Sequence, residues 1–218
     1  TRLVPRPVLL GRDPGRLAAV AGALGGLPFS TDRESLLSDP ANGVYFDAAL
    51  TAGRHGRAMA AIAAGKHVYL EKPAATSHRE AQEIARASRA RGLKGGVVQD
   101  KLWLPGMQKL LALRRAGFFG RILSARLEFG WWVFDGFDRP MPRSDWNYRR
   151  DTQGGIVLDM FTHWQYLIDA LVGEVRAVCC TMSTRQPRRR TPAGVAFDVD
   201  VEDEATALVE VEGGALVR

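Results

Sequence analysis

The tripeptide Glu71-Lys72-Pro73 could carry chemistry because of its position in the sequence. It follows the short apolar run HVYL, residues 67–70, which predicts a buried strand, and its proline ends strand pairing at that point. Lysine is seldom buried without a partner, because burial disfavours its charged form. The pattern therefore predicts either a functional lysine at the end of a strand or an ordinary surface turn.

A carboxylate and a histidine stand four residues apart in the segment GGIVLDMFTHW, residues 154–164. In a helix Asp159 and His163 project from one face, and a carboxylate one turn before a histidine can orient the ring and raise its basicity, as a general base requires. The rest of this face is apolar, so a histidine satisfied within the core is the alternative. We predict no metal site, because no further His or Cys stands at ligand spacing.

A loop at residues 131–150 is rich in aromatic and charged residues, a combination common in pockets for sugars and polyols. Its aromatic members include Trp131, Trp132, Phe134, Trp146 and Tyr148. A packed loop or a subunit interface is the alternative. The candidate substrate-binding residues are Trp146, Tyr148 and Arg149 from this loop, together with Lys101 from an earlier loop.

The first 100 residues predict the alternation of strands and helices that builds a parallel sheet. Strands are predicted at 7–11, 43–50, 67–70 and 94–100, and helices from Asp13-Pro14, over 54–65 and over 77–92, where Ser77 is the N-cap and Glu80 closes a capping box. Ligands of such sheets bind at the carboxyl ends of the strands. This rule selects the segments Gly11-Arg12, Thr51-Ala52-Gly53, Glu71-Lys72-Pro73 and Gln99-Asp100-Lys101.

The pattern changes near Asp100. A helix is predicted at 105–117, a long alternating strand at 121–134, a helix at 155–173 and strands at 174–185 and 204–213. Long strands after a helix are typical of an antiparallel α+β domain. We therefore predict an α/β protein with two domains, residues 1–100 and 101–218. The sequence begins with Thr1 and not Met, and its final EATALVEVEGGALVR resembles an interrupted hairpin, so we expect the natural chain to continue beyond both ends.

The composition is that of an ordinary globular protein, since 46% of the 218 residues are hydrophobic and 25% are charged. It excludes collagen, low-complexity disorder and a small disulfide scaffold. The net charge of +6 includes four arginines of RQPRRRTP, residues 185–192, for which we predict a solvated loop. No helical face combines such charges with aromatic residues, so we predict no nucleic-acid partner.

Cys179 and Cys180 are adjacent, and we interpret them as small apolar fillers of a strand rather than as disulfide or metal ligands. Lone thiols are typical of a reducing compartment. The longest uncharged run, residues 17–31, contains Gly and Pro and is shorter than the ~20 apolar residues of a membrane helix. We predict a cytoplasmic protein without a membrane segment.

Two long segments resemble a known family. AIAAGKHVYLEKPAATSHREAQEIARASRARG, residues 61–92, resembles the signature of the Gfo/Idh/MocA oxidoreductases. DWNYRRDTQGGIVLDMFTHW, residues 145–164, is similar to the second block of that family, in which Trp-x-x-Arg and Gly-Gly precede Asp-x-x-x-His. The spacing between the blocks also fits. The resemblance implies a Rossmann domain for NAD or NADP, then an α+β domain whose open, mostly antiparallel sheet forms homodimers or homotetramers.

The resemblance also implies roles for individual residues. Lys72 matches the lysine near the nicotinamide, His163 the proton acceptor for a substrate hydroxyl, and Asp159 its companion acid. The implied activity is hydride transfer between the nicotinamide cofactor and a sugar, polyol or related hydroxy compound. A non-catalytic sensor or regulatory member is the alternative, although such a protein would be expected to lose Lys72 or the Asp159–His163 pair.

Three departures from the family pattern concern the cofactor. Residues 1–6 do not supply the first strand and the glycine-rich loop that would cradle the pyrophosphate. TAGRHG, residues 51–56, replaces Thr-Pro-Asn-x-x-His. Gly11 replaces the acid that would bind the ribose 2′-hydroxyl, and Arg12 suits a 2′-phosphate, so NADP is favoured over NAD. The predicted cofactor contacts are Gly11, Arg12, Thr51, Glu71, Lys72 and Pro73.

Overall fold

A computed structural model describes residues 6–130, 136, 139–141 and 145–218 of the chain. Trp131, Trp132 and Phe134 of the predicted substrate loop lie outside the described residues. None of the helices within the described part has the length and apolar character needed to cross a lipid bilayer.

Short parallel strands alternate with helices through the first half of the chain. The strands are β1 (Leu9–Leu10), β2 (Phe29–Ser30), β3 (Val44–Asp47), β4 (His67–Leu70) and β5 (Gly95–Val97), and the helices are α1 (Pro14–Ala23), α2 (Arg33–Ser38), α3 (Arg54–Ala63) and α4 (His78–Ala90). β1 pairs with β2, and β3, β4 and β5 pair in that order, all in parallel. Because the parallel strands of one sheet end at one edge, the loops that follow β3, β4 and β5 lie along one edge of their sheet. The sequence patterns did not predict β2 and α2.

Helix α3 and strand β4 form the core of this half. Ala58, Ala61 and Ile62 of α3 are at most 1% exposed and cluster with Val68 and Leu70 of β4. Their spacing of three and four residues gives α3 one apolar face. Side-chain N-caps begin the other long helices, as predicted: Asp13 accepts from the Arg16 amide, and Ser77 accepts from the Glu80 amide.

The described part of the second half contains two α-helices, a four-stranded mixed sheet and a two-stranded sheet. Its elements are α5 (Pro105–Arg115), β6 (Ser124–Ala125), a 3₁₀ turn (Asp145–Tyr148), a π turn (Val157–Phe161), α6 (Thr162–Leu171), β7 (Val175–Ser183), β8 (Arg188–Arg190), β9 (Ala196–Asp198), β10 (Glu204–Val211) and β11 (Leu216–Val217). The sheet order is β6-β11-β10-β7; β10 runs antiparallel to β7 and β11, and β11 runs parallel to β6. The predicted fold class, a parallel-sheet half followed by a mostly antiparallel α+β half, is confirmed.

The prediction of a long strand over 121–134 is wrong for its described part. Only Ser124 and Ala125 form strand β6, and residues 126–130 are not in a strand. β6 pairs with β11 over two residues, and beyond them the Leu127 amide donates to the Arg218 carbonyl oxygen over 2.7 Å.

The prediction of a solvated loop at RQPRRRTP is wrong for its strand residues and for Arg189, whereas Arg185, Arg188 and Arg190 are exposed as predicted. Residues 188–190 form β8, which pairs antiparallel with β9. Arg189 is 6% exposed, donates to Asp203 over 2.7 Å and places its guanidinium carbon 4.4 Å from the centre of the Tyr148 ring. A buried carboxylate and an aromatic face therefore hold an arginine that looks like a surface residue in the sequence.

Cys179 and Cys180 are free thiols and both are exposed, so their interpretation as small apolar fillers of the strand is wrong. They lie on β7, an edge strand of the four-stranded sheet. Helix α6 covers the face that carries Val209 and Val211, which are buried with Ile168. Most residues of β7 are exposed, so the small apolar character of the two cysteines does not by itself lead to their burial.

Candidate active site

An ion pair between Lys72 and Asp159 joins the two halves of the chain. Lys72 lies two residues after β4, and its Nζ donates to Asp159 Oδ1 over 2.7 Å and to the Asp159 carbonyl oxygen over 2.8 Å. The side chains are 18% and 7% exposed. The structure thus brings together two residues that lie 87 positions apart in the sequence.

The second oxygen of Asp159 accepts a hydrogen bond from Asn147. The distance between Asn147 Nδ2 and Asp159 Oδ2 is 2.9 Å, and Asn147 is 4% exposed. Each carboxylate oxygen therefore has a donor, which a buried carboxylate needs to remain charged. The sequence analysis did not select Asn147, because it selected the aromatic residues on either side, Trp146 and Tyr148.

Two glycines allow this contact. A Cβ on Gly154 would lie 2.4 Å from the Asn147 carbonyl oxygen, so only glycine fits without displacing the backbone that carries Asn147. Gly155 has a φ of 116°, which a side chain would strain, and its amide donates to the same carbonyl. The Gly-Gly pair thereby fixes the 3₁₀ turn against the start of the π turn.

His163 is buried beside these residues at the start of α6. It is 4% exposed, and its Nδ1 lies 2.7 Å from the Tyr166 hydroxyl and 3.5 Å from Asp100 Oδ1. Asp159 precedes it in the π turn, a helix type that is often found at functional sites. The described contacts of the His163 ring thus include a carboxylate from the end of the first half, Asp100, which the sequence analysis placed at a strand end without giving it a role.

Burial is the main reason why the pKa of His163 falls to about 4, and the positive charge of Lys72 lowers it further. Lys101 acts in the same direction, whereas Asp100 and Asp159 raise the pKa and partly offset the decrease. At neutral pH the ring is therefore uncharged and can accept a proton.

Arg54, the first residue of α3, holds the backbone on both sides of Lys72. It is 2% exposed, and its Nη1 donates to the Glu71 carbonyl oxygen over 2.9 Å and to the carbonyl oxygen of Pro73. One guanidinium therefore fixes the turn that presents Lys72 to Asp159. Sequence patterns gave no signal for it, because an arginine at the start of an amphipathic helix resembles a surface residue.

Asp47, the last residue of β3, neutralises Arg54. Its Oδ1 accepts from Arg54 Nε over 3.2 Å and its Oδ2 accepts from Arg57 Nε over 2.7 Å. Burial raises the pKa of Asp47, but the hydrogen bonds and charges of Arg57 and Arg54 outweigh burial and hold the pKa below its ordinary value. The carboxylate is thus charged at neutral pH and supports the Lys72 turn through Arg54.

Family models match both halves of the chain. Residues 8–98 match the model for the oxidoreductase family with an NAD-binding Rossmann fold, and residues 107–218 match the model for the GFO/IDH/MocA C-terminal domain. The chain belongs to the Gfo/Idh/MocA family. The resemblance found in the two sequence blocks is confirmed.

Two curated relatives and one solved structure that the chain resembles are named as sugar dehydrogenases. The chain is 40% identical over 212 residues to the D-xylose dehydrogenase of Paenarthrobacter nicotinovorans, covering 97% of the chain and 55% of that protein. It is 28% identical to the levoglucosan dehydrogenase of Pseudarthrobacter phenanthrenivorans, covering 97% of the chain and 57% of that protein. A levoglucosan dehydrogenase solved in complex with NADH and levoglucosan superposes with a TM-score of 0.82 at 27% identity, covering 97% of the chain and 56% of the solved one. The chain thus spans a little over half the length of these relatives.

The predicted cofactor residues of this family member follow the ends of strands β1, β3 and β4. Arg12 is exposed after β1 and makes no hydrogen bond or ion pair within the described part of the chain. A Cβ on Gly11 would lie 3.0 Å from Leu17 Cδ2, so the close packing of α1 is a further reason for glycine there. Thr51 Oγ1 lies 3.4 Å from Arg54 Nη1, and Glu71 accepts from the Lys72 amide over 3.1 Å.

The predicted substrate residues have different environments. Lys101 pairs with Asp100 over 2.7 Å, and Trp146 is half-buried. Tyr148 is 3% exposed within a core cluster, and Arg149 pairs with Asp145 over 2.6 Å. Their roles toward substrate stay predictions. In the described part of the chain, no three His, Cys, Asp or Glu residues are grouped to hold a metal ion.

Replacing Asp47 tests whether its ion pair with Arg54 stabilises the turn that carries Lys72. We expect Asp47→Asn to lower the free energy of unfolding by about 3–5 kcal/mol, because it leaves the buried Arg54 charge uncompensated. Since the folded-state pKa of Asp47 is depressed, its stabilisation is present above the ordinary pKa of about 3.9 and is lost as the pH falls through the lower folded value. Urea unfolding at pH 7 and at pH 4 and below measures both effects.

The matched control is Asp198→Asn. Asp198 pairs with Arg188 over 3.1 Å, but both side chains are at least 75% exposed, so the loss stays within about 1 kcal/mol. Equal losses in the two variants would contradict the role given to Asp47.

Proposed function

We propose that this protein is a nicotinamide-dependent dehydrogenase that transfers hydride between its cofactor and a sugar or polyol. The observation that carries the proposal is the Lys72–Asp159 ion pair beside the buried, uncharged His163. The named relatives, a D-xylose dehydrogenase and a levoglucosan dehydrogenase, support a sugar as substrate. The solved complex of a relative with NADH and levoglucosan supports the nicotinamide cofactor.

The residues of this chain can perform the acid–base part of the reaction. Oxidation of a secondary alcohol removes a hydride from carbon and a proton from oxygen, and the bound nicotinamide would supply the hydride acceptor. His163 takes the hydroxyl proton, since its low pKa keeps the ring uncharged. The Lys72 ammonium donates a hydrogen bond to the same oxygen and stabilises its developing negative charge. Asp159 holds Lys72 in place.

The same contacts support an enzyme over a non-catalytic sensor. A protein that only binds nucleotide has no need for a lysine, a carboxylate and an uncharged histidine in one buried cluster. Here Asp159 orients Lys72 through two hydrogen bonds and is itself held by Asn147. Such preorganisation serves a transition state whose charge develops at one oxygen.

The described strand ends fit a dinucleotide with a 2′-phosphate. Arg12 leaves a permanently charged guanidinium exposed at the end of β1, while Asp13 accepts from the Arg16 amide as the N-cap of α1. Gly11 adds no carboxylate that would repel a phosphate. We therefore propose that NADP(H) is bound in preference to NAD(H), with Thr51 and Glu71 on the nicotinamide side. Cytoplasmic location stays a prediction.

Replacement of His163 tests the catalytic assignment. We expect His163→Ala to lower kcat by about 10²–10⁴-fold and to leave the dissociation constant of the nucleotide unchanged, because the ring transfers a proton. Initial rates of NAD⁺ and NADP⁺ reduction on the full-length protein, with a panel of pentoses, anhydrosugars and polyols, measure the effect.

The control is His78→Ala, at the exposed start of α4, which is expected to keep the wild-type rate. An unchanged kcat in His163→Ala would remove His163 from the reaction. Failure of the wild type to oxidise or reduce any sugar or polyol would overturn the proposed function.

Replacement of Arg12 tests the cofactor preference. Arg12→Ala is expected to weaken NADP(H) binding about 10- to 100-fold and to leave NAD(H) binding unchanged, since a charge-assisted contact contributes ~1.5–3 kcal/mol. Isothermal titration with both nucleotides gives the two dissociation constants. Arg16→Ala, one turn later in α1 and equally exposed, is the control. Equal affinities of the wild type for both nucleotides would contradict the preference.

The outer face of the second sheet supports a homodimer or homotetramer. Leu208 of β10 and Leu216 of β11 are 49% and 45% exposed, and Leu208 pairs with the exposed Cys179 of β7. Glu210 pairs with Leu216, which places both leucines on the face opposite the buried Val209 and Val211. We propose that two copies bury this face against each other.

A charge on that face tests the assembly. Leu208→Glu is expected to convert the oligomer to monomer, because an unpaired carboxylate would be buried at the interface. Light scattering coupled to size-exclusion chromatography measures the mass. Leu24→Glu, at an exposed position after α1, is the control and should keep the wild-type mass. A wild-type protein that is monomeric would contradict the proposed assembly.

A further inference from the structure

A hydrogen-bond chain leads from the buried His163 ring to a half-exposed carboxylate. His163 Nδ1 lies 2.7 Å from the Tyr166 hydroxyl oxygen, and that hydroxyl lies 3.3 Å from Asp100 Oδ1. The Asp100 side chain is 50% exposed. The backbone amide of Lys101 donates to the same hydroxyl oxygen over 3.2 Å. Asp100 and Lys101 belong to the 3₁₀ turn after β5, and Tyr166 lies one turn after His163 on α6.

We propose that Tyr166 and Asp100 are positioning residues that hold His163 in the tautomer protonated on Nδ1 and so leave Nε2 as the proton acceptor. The catalytic consequence rests on the proposed function, whereas the tautomer itself does not.

The number of donors around the Tyr166 hydroxyl determines the tautomer. A hydroxyl has one proton to donate and two lone pairs to accept with. An ionised Asp100 only accepts, so the Tyr166 proton is directed to it, and the Lys101 amide occupies one lone pair. The second lone pair faces His163 Nδ1 at 2.7 Å, and this contact is a hydrogen bond only if Nδ1 carries the proton.

Asp100 is ionised at neutral pH. Burial raises its pKa, but the hydrogen bond and charge of Lys101 outweigh burial and hold the pKa below its ordinary value. The Lys101 ammonium lies 2.7 Å from the other oxygen, Oδ2, so Oδ1 remains available to Tyr166. Burial also raises the pKa of Tyr166 to about 12, which keeps its hydroxyl protonated and able to donate.

The other ring nitrogen of His163, Nε2, is thereby left unprotonated and able to accept a proton from a substrate. Nε2 has no hydrogen-bond partner within the described part of the chain, and with the proton on Nδ1 it carries the free lone pair. When Nε2 accepts a proton, the ring becomes a cation that donates through Nδ1 to a hydroxyl already polarised by Asp100. Lys72 and Lys101 oppose this charge, and Asp100 and Asp159 favour it.

The first experiment reads the tautomer without turnover. Long-range ¹H–¹⁵N spectra of the full-length protein without cofactor distinguish protonated from unprotonated ring nitrogens, and His163→Gln identifies the His163 signals. We expect Nδ1 to be protonated and Nε2 unprotonated in the wild type. We expect this preference to be lost in Tyr166→Phe, which keeps the ring in place but removes the hydroxyl. Asp100→Asn changes the half-exposed end of the hydrogen-bond chain, and in this variant the preference for a proton on Nδ1 should weaken.

The second experiment measures the consequence for catalysis. We expect kcat for the best sugar to fall at least about 10-fold in Tyr166→Phe with KM values within about 2-fold, because loss of the group that fixes a catalytic histidine tautomer costs up to about 10⁴-fold in other enzymes. In Asp100→Asn the acid limb of kcat/KM should move to lower pH, since Asp100 raises the pKa of His163. Tyr69→Phe, on the exposed side of β4, is the matched control.

The outcomes separate this inference from the proposed function. A wild-type His163 protonated on Nε2, or an Nδ1 preference that persists in both Tyr166→Phe and Asp100→Asn, overturns the inference. The expected tautomer in a protein that turns over no sugar supports the inference and overturns the proposed function instead.

Discussion

The contact between the Lys72 ammonium and the Asp159 carboxylate is the interaction on which the site depends. Two charges leave water only if each gains a partner, because desolvation of an unpaired ion costs several kcal/mol. Asp159 supplies both a carboxylate and a carbonyl oxygen to Lys72, and Asn147 satisfies its second oxygen. The two halves of the chain are thus joined where the chemistry is proposed to occur. A change that separates the halves would also separate Lys72 from Asp159 and His163.

The same constraint explains the arginine beneath the site. The segment around Lys72 leaves β4 as an irregular turn, whose carbonyl groups must be bound once they are buried. Arg54 binds the carbonyls on both sides of Lys72, and Asp47 compensates its charge. The loop TAGRHG differs from the usual family pattern, yet through Arg54 it still fixes the turn that carries Lys72. The support of Lys72 is therefore electrostatic as well as steric.

Most of the charges that act on His163 come from segments that are distant in the sequence and meet at the contact between the two halves of the chain. Lys72 and Lys101 lower the pKa of the ring, and the charge of Asp100, whose Oδ1 lies 3.5 Å from Nδ1, raises it. Burial sets the direction of the shift, and the neighbouring charges adjust it. The result is a base that is uncharged at neutral pH and held on its Nδ1 side by Tyr166.

The sequence by itself determined the features that depend on near neighbours. Ser77 and Asp13 cap their helices, Lys72 follows a strand, and Asp159 and His163 lie in consecutive helical segments. Caps, strand ends and helical faces arise within a few residues. Only the tertiary structure decided the remainder. Strand β2 is two residues long and too short to leave a pattern. Arg54, Arg189 and Asp100 look like solvated charges in the sequence, but each also binds a residue far away along the chain. The separations are 17 residues for Arg54 and Glu71, 14 for Arg189 and Asp203, and 66 for Asp100 and Tyr166. Burial and pairing across such separations arise only when distant segments pack together, so local residue patterns do not encode them.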